Sequence, residues 1–567
     1  MNSFRKAAPI CLTVAALSVA IAATPTADGQ APDQPQDEAV QQKNTTWKAS
    51  GKRGGVAAGG QGAVDAGMTI LKADGNAMDA AAATILALSV TDSGSFCFGG
   101  EVPIMVYDAK RDVTEVLCGQ GVAPKLATQE FFAKKSGGIP GKGITPAAVP
   151  GAFDAVITTL DRYGTKTFAE CVAPTLKLLD KGGKDWHANL ARTLRRMVEV
   201  EKTSPNDRKR GLRLVADYFY RGPIAKEIDA FCKANGGLIR YTDMATHVTR
   251  IEDPVTIDYR GHKIVKCGVW TQGPYLLQTM KMLEGFDLGA MGFHKADSIH
   301  VAAEALKLGL ADRDKYFADP LFADVPLKEL LSDEYIALRR PLIDMKKASQ
   351  IQRPGDPRKM LALHPDPKMM YGPGEEDYDT TTCVVADGQG NVVAATPSGF
   401  SGVVAGNTGI YLSTRLQQFN AWAGHPNCIE PGKRPRITLT PGMVFKNGKP
   451  LLSISVAGGD MQDQCALQLI TNHIDFGFNA ADCVSLPRFG TNHFINSFRQ
   501  KAPKLGNLNL HSEMKKEVID ELKNRGHKVN VNSGVMGANP VMIRIDPVTR
   551  VIDAAGDPKA KRHAGAW

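Results

Sequence analysis

Several signatures that would assign a function at once are missing from the 567-residue chain. There is no C-x-x-C pair, which argues against a zinc ribbon or a thioredoxin-like redox site. The 12 His are scattered, with neither H-E-x-x-H nor H-x-x-x-H, so the sequence calls for no metal, and nothing else in it calls for a cofactor. Gly119 and Gly121 lack the third glycine of a dinucleotide fingerprint. No G-x-S-x-G is present, which counts against an α/β-hydrolase elbow. Basic residues come only in short groups, such as Arg208-Lys209-Arg210 and Lys559 to Arg562, without interleaved aromatics. The net charge of +9 therefore reads as solvated surface and not as a nucleic-acid interface. With 43% hydrophobic and 22% charged residues, the chain is neither disordered nor membrane-embedded.

The N-terminus reads as an address. Arg5 and Lys6 precede an apolar stretch from Ile10 to Ala23, too short to span a bilayer comfortably. It ends in Ala20-Ile21-Ala22-Ala23, which suits signal cleavage near Ala22. Residues 1–22 are thus predicted to be a secretory signal and 23–50, rich in Gln, Asp, Ala and Pro, a linker. The expected protein is exported, periplasmic or extracellular, with no membrane attachment after signal removal. Nine Cys remain, at scattered positions and in odd number. An oxidising compartment would let some pair, in an order the sequence does not give, while those in apolar runs read as buried small hydrophobes.

Helical spacing runs over Gln61–Lys72 and Asn76–Val90, from Pro150-Gly151 to about Tyr163, and over Phe168–Lys181. Residues 187 to 345 read as mainly helical, interrupted by a strand at Tyr259–Val269. Strand signals dominate the last third. Thr382–Ala386 and Val392–Thr396 flank the turn Asp387–Asn391, which is too short for a calcium loop and lacks its terminal Glu. Met443–Lys446 and Pro450–Val456 flank Asn447-Gly448, a tight-hairpin turn. Cys465–Phe476 is an amphipathic helix, and Ser512 is read as the cap of a helix ending at Gly526. Val541–Ile545 and Arg550–Ala554 form a third hairpin. This mixture predicts an α+β protein layered helix–sheet–sheet–helix.

One feature carries chemistry. Asp379-Thr380-Thr381-Thr382 stands directly before the first hairpin strand. A chain that cuts itself before a Thr leaves an α-amine, pKa near 8, beside its own hydroxyl, so one residue supplies nucleophile and base. By themselves the three Thr are ordinary strand formers. Their surroundings are not ordinary. Gly55-Val56-Ala57-Ala58-Gly59, Ala63-Val64-Asp65-Ala66-Gly67, Ile70-Leu71-Lys72 and Gly75 to Ala81 are followed by Ala148-Val149-Pro150-Gly151. Then come Asp379-Thr380-Thr381, Gly390-Asn391, Gly406-x-x-Gly409-Ile410, Lys433-Arg434-Pro435, Gly458-Gly459 and Pro487-Arg488-Phe489. In this order, from 52 to 495, the chain resembles the γ-glutamyltranspeptidase family of N-terminal-nucleophile hydrolases.

That resemblance implies a four-layer αββα sandwich and autocleavage after Asp379. A large chain, 51–379, and a 188-residue small chain, 380–567, would form a heterodimer acting on a small-molecule amide or peptide. Thr380 becomes the nucleophile, Gly458 and Gly459 the oxyanion donors, and Ser398 stands where the family has a Thr that hydrogen-bonds the nucleophile. The glutamyl anchors differ. Gln120 replaces the Arg for the α-carboxylate, Gln418 replaces the Asp for the α-ammonium, and Ile437-Thr438 replaces a Ser-Ser. Losing charged hydrogen bonds, worth about 1.5–3 kcal/mol each, disfavours a free amino-acid head unless Arg415 or Arg436 compensates. The stretch between Phe419 and Lys433 is short, as in lidless members, and Phe400 stands near the position of an Asn the family uses. The sequence therefore predicts a self-processing Thr amidohydrolase or acyltransferase. A genuine γ-glutamyltransferase with relocated anchors and a non-catalytic binding protein of the same fold remain open at this stage.

Overall fold

Short valine- and alanine-rich segments with two-residue alternation build two seven-stranded sheets. The structure, a computed structural model, describes residues 46–567 apart from 136–137, 375–378 and 535. The predicted signal peptide and most of the predicted linker lie outside the described residues. One sheet runs His563–Ala566, Gly54–Ala58, Cys383–Asp387, Val392–Ala395, Val102–Asp108, Val113–Gly119, Arg250–Glu252. The other runs Lys48–Gly51, Ile552–Gly556, Asn539–Ile545, Lys449–Ala457, Gly442–Lys446, His262–Lys266, Val255–Tyr259. All neighbours in both are antiparallel.

Alternation decides the layers. Val384, Ala386, Val392, Ala394 and Met105 point between the sheets, where they meet Val265, Met443, Val541 and Ile543. Their neighbours Cys383, Val385, Val393 and Ala395 face the opposite way. They share a core with the helices Gln61–Lys72, Ala77–Thr91 and Ala152–Tyr163. Ile264, Val444, Leu452 and Ile454 do the same on the far side with Gly273–Leu283, Ala296–Tyr316 and Gln462–Ile474. A one-residue slip would reverse every one of these assignments. The architecture is the predicted αββα sandwich of an α+β protein.

Local chemistry fixes the element ends. Asn76 caps Ala77–Thr91 by accepting from the Met78 and Asp79 amides, and Asp79 returns a bond to Asn76 N. The Asp387 turn does more than close a hairpin. Its carboxylate accepts from Gln389 N, Asn391 N and Asn391 Nδ2, and also from Ala77 N at 2.9 Å, so it locks the same helix start to the sheet. Asn447 and Gly448 both take positive φ, 51° and 74°, as a tight hairpin turn requires.

Four expectations need correction, and the cysteine pairing left open by the sequence is answered. The linker ends sooner, because Lys48–Gly51 pairs with Ile552–Gly556 as an edge strand. Pro150 lies outside its helix, which starts at Ala152 after the cap Gly151. The interruption at Tyr259–Val269 is half of a hairpin, Val255–Tyr259 with His262–Lys266, turned by Arg260 and Gly261. Ser512 is no cap: its N–H donates to Asn532 O, still tied to the small sheet of Asn507–His511 and Lys528–Asn532, and the helix Lys516–Asn524 begins beyond it. All nine described cysteines are unpaired and buried, spread through separate cores.

Candidate active site

The nucleophile candidate is placed by three converging strand ends. Thr381 N donates to Pro397 O at 2.8 Å, and Thr380 bridges Ser398, which bridges Glu101 in turn. Ser398 N donates to Glu101 O and Glu101 N to Ser398 O, both at 2.9 Å. These residues extend Cys383–Asp387, Val392–Ala395 and Val102–Asp108 past their regular ladders. Two glycines permit the convergence. A Cβ on Gly100 would lie 2.2 Å from Ser398 O, and one on Gly59 only 1.9 Å from Thr381 Oγ1.

Thr380 Oγ1 lies 3.2 Å from Ser398 Oγ, and both residues are buried. The Ser398 hydroxyl also touches the Asp379 carbonyl oxygen, the acyl oxygen of the 379–380 peptide. Arg415 Nη2 donates to Ser398 Oγ at 2.6 Å. The same guanidinium grips Glu101 Oε1 from Nε and Nη2, each at 2.5 Å. The Asp379 carboxylate accepts from Phe400 N at 2.7 Å and lies 3.4 Å from Arg415 Nη2. Burial pushes the Glu101 carboxyl up to about 7, against the pull of Arg415. Burial likewise raises Asp379, again opposed by Arg415.

The glycine pair arrives from the other sheet. Ser453 Oγ donates to Val393 O at 3.0 Å, and Ser455 Oγ meets Thr396 Oγ1 at 3.0 Å. The strand Lys449–Ala457 thus runs in the same direction as Val392–Ala395 across the interface. Three residues past Ser455 come Gly458 and Gly459; two past Thr396 comes Ser398. Both therefore emerge at one end of the sandwich. Gly458 and Gly459 take φ of 134° and 55°, and a Cβ on Gly458 would lie 1.9 Å from Gly537 O. No described residue accepts a hydrogen bond from either glycine N–H.

A chain of amides joins the two halves. Gln272 Nε2 donates to Thr438 O at 3.2 Å and Gly459 O at 3.3 Å. Gln418 Nε2 lies 3.4 Å from Thr438 Oγ1. Gln418 closes the short turn Arg415–Gln418 that carries Arg415 to Ser398. Gln120 is buried apart from these contacts, its Nε2 on Pro435 O at 2.7 Å. Arg436 is held by Ser497 Oγ and Asn427, so of the two candidate compensating arginines only Arg415 touches the Thr380 cluster. Phe400 joins through its backbone, its ring lying against Tyr411. Among the described residues no group of three or more metal-ligating side chains is assembled.

The Gamma-glutamyltranspeptidase family model matches residues 63–210 and 184–567. The chain belongs to the γ-glutamyltranspeptidase family. It is 31% identical over 531 residues to the Glutathione hydrolase proenzyme of Bacillus subtilis (strain 168), with 88% of each chain covered. It is equally 31% identical over 531 residues to the Acylase ACY 1 proenzyme of Pseudomonas sp. (strain SE83), covering 86% of this chain and 89% of the other. The crystal structure of cephalosporin acylase from Bacillus halodurans superposes with a TM-score of 0.77 at 28% identity, covering 95% and 99%. The protein is a γ-glutamyltranspeptidase-like enzyme of the N-terminal-nucleophile hydrolase type.

Three residues of this γ-glutamyltranspeptidase-type site escaped the sequence reading: Glu101, Gln272 and Arg313. Arg313 Nη1 holds both Gln272 Oε1, at 2.8 Å, and Asp460 Oδ1, at 2.5 Å, beside the glycine pair. One signal was available for Glu101. An arginine in the otherwise neutral run Ser413 to Phe419 requires a buried carboxylate somewhere, and Glu101 stands in the next strand but one from Thr380.

Proposed function

We propose that the chain is an exported proenzyme that cuts itself between Asp379 and Thr380 and then hydrolyses an amide through a Thr380 ester. The observation that carries this reading is the Thr380 hydroxyl 3.2 Å from Ser398 Oγ, with the acyl oxygen of its own preceding peptide on the same serine. After scission the Thr380 α-amine accepts the hydroxyl proton, Thr380 Oγ attacks the substrate acyl carbon, and the unclaimed N–H groups of Gly458 and Gly459 take the oxyanion; the C–N bond then breaks as the α-ammonium passes that proton to the leaving amine. Such a donor contributes about 10²–10³ in rate. Water then releases the acyl group.

The substrate head is read from the amides. Gln120 and Gln418 are neutral and already engaged with Pro435 O and Thr438. They suit an acyl group without a zwitterionic amino-acid head, which fits the acylase relative better than the glutathione hydrolase. A second reading, a glutathione hydrolase with relocated anchors, draws support from Arg415 Nη1, buried and without a hydrogen-bond partner among the described residues.

Intact-mass measurement of purified protein tests the first claim. A 188-residue fragment beginning at Thr380 is expected (567 − 379 = 188), and Thr380→Ala should stay whole. An uncut chain under all conditions refutes it. A panel of acyl anilides and γ-glutamyl anilide separates the two substrate readings, since only the second predicts preference for the γ-glutamyl compound.

A further inference from the structure

The Ser398 hydroxyl has four neighbours and one proton. Its oxygen contacts the Asp379 carbonyl, Thr380 Oγ1 and Arg415 Nη2, with Asp379 Oδ1 farther off at 3.4 Å. A guanidinium donates only and stays charged. The 2.6 Å contact with Arg415 therefore occupies a lone pair of Ser398 Oγ. The hydroxyl proton is left for an acceptor, and the Asp379 carbonyl in contact with it can only accept, whereas the Thr380 hydroxyl can itself donate. Arg415 can hold this position because its other edge is fixed. Glu101 Oε1 takes Nε and Nη2 together, and Glu101 is tied by backbone bonds to the strand segment that carries Ser398. All of these groups are buried.

We infer that the Glu101–Arg415 pair is a positioning device for self-cleavage, which directs the Ser398 proton onto the scissile carbonyl and makes Ser398 the oxyanion donor of the first step. This rests on the self-processing reading above. In that step Thr380 Oγ bonds to the Asp379 carbonyl carbon, and the C=O π pair moves to the oxygen that Ser398 holds. The Thr380 hydroxyl proton ends on its own nitrogen as the C–N bond breaks. The product is an ester between Asp379 and Thr380 Oγ with a free α-amine. Water adds to the ester carbon, leaving the Asp379 carboxylate on the large chain and restoring the Thr380 hydroxyl. Once the Asp379 carbonyl has left, the Ser398 proton turns to Thr380 Oγ1. One hydroxyl thereby serves two successive tasks without moving its oxygen.

The test follows cleavage of full-length precursor pulse-labelled by cell-free translation. S398A should slow the appearance of the Thr380 terminus by about 10²–10³, the worth of one oxyanion donor. Replacing the pair together, E101Q/R415M, removes the device, leaves only the Asp379 carboxylate, still bonded to Phe400 N, without its cation, and should slow cleavage comparably. Because Arg415 acts through Ser398, adding E101Q/R415M to S398A should slow it no further. Glu101→Gln alone keeps an acceptor for Nε and should slow cleavage less than the double variant, whereas a merely structural loss would be larger for the variant that leaves the buried guanidinium without its partner. Melting temperatures against an uncleavable T380A precursor show which variants are folded. Parental-rate cleavage by folded E101Q/R415M, or a multiplicative triple variant, overturns the proposal. A parental precursor that never cleaves refutes self-processing itself, a distinguishable result.

Discussion

Arg313→Met isolates the support beneath the glycine pair. Arg313 is fully buried, and its guanidinium serves Asp460, Asp314, Gln272 Oε1 and Ile495 O, with the Phe494 ring 5.2 Å away. Methionine fills a similar volume but leaves the Asp314 and Asp460 carboxylates without their cation. Breaking one buried pair typically costs about 3–5 kcal/mol. Unfolding entropy of about 2.1 cal/mol/K per residue, over roughly 500 ordered residues, amounts to about 1 kcal/mol/K, so the melt should fall by about 3–5 °C. Activity should suffer more. Gln272 loses the anchor on its Oε1, and its Nε2 is what holds Gly459 O. If the Gly459 N–H swings from the oxyanion position, kcat on whichever anilide the processed enzyme turns over should drop by about 10²–10³ with little change in KM. Asp460→Asn is the milder control. It keeps an acceptor for Ser497 N, and Arg313 keeps Asp314, so both effects should shrink. Calorimetry and steady-state kinetics on the same preparations decide the matter. An unchanged melt refutes the charge argument, and an unchanged kcat in a destabilised R313M refutes the link from Arg313 to the glycine pair.

Gly59→Ala would put a Cβ 1.9 Å from Thr381 Oγ1, 2.7 Å from Asp92 Oδ2 and 2.9 Å from Arg562 Nη1, so a loss of about 1–3 kcal/mol and slower processing are expected; urea melts and the cleavage time course check both. The core also carries an acid sensor. His300 Nε2 can only donate to the Asp344 carbonyl, at 2.8 Å, so its Nδ1 accepts and His527 Nε2 donates, at 2.8 Å, which makes both rings neutral in the fold. Burial, with Lys307 next, lowers His527 to about 2. The unfolded ring titrates near 6.5. The contribution of this ring is therefore flat above about pH 6.5 and costs stability as pH drops from there toward the folded value, by up to about 1.4 kcal/mol per unit. His527→Gln keeps the donor to His300 and should make the fall of the melting temperature below pH 6.5 shallower; an unchanged slope contradicts the assignment.

What the sequence disclosed, and what it hid, follows from the range of the forces involved. Asn447 and Gly448 act within two residues, so their hairpin turn could be read directly; the capping box of Asn76 and Asp79 was equally local but was read as part of the helix. The αββα layering was readable from the mixture of helices and antiparallel hairpins, but not face by face: Val384 and Val385 are alike in sequence, and only the structure puts them in different cores. Ser512 misled for the opposite reason. Its side chain suits a cap, but a backbone bond to Asn532, twenty residues on, holds it to the small sheet. The site divides in the same way. Thr380, Ser398 and the glycine pair lie in segments whose spacing is set by hairpins, and the structure brings the first two within 3.2 Å. Glu101, Gln272 and Arg313 work through contacts that no local pattern encodes: Glu101 reaches Arg415 across 314 residues and Arg313 reaches Asp460 across 147. Gln120 and Gln418 are neutral, and the buried charge near Thr380 lies instead in the Glu101–Arg415 pair beside the Asp379–Thr380 peptide. On the proposed reading, acyl selection rests on Gln120 and Gln418 and maturation on the Glu101–Arg415 pair, so E101Q/R415M should slow processing and leave the anilide preference as it was; loss of a γ-glutamyl preference in that variant would instead make Arg415 the relocated anchor of the second reading.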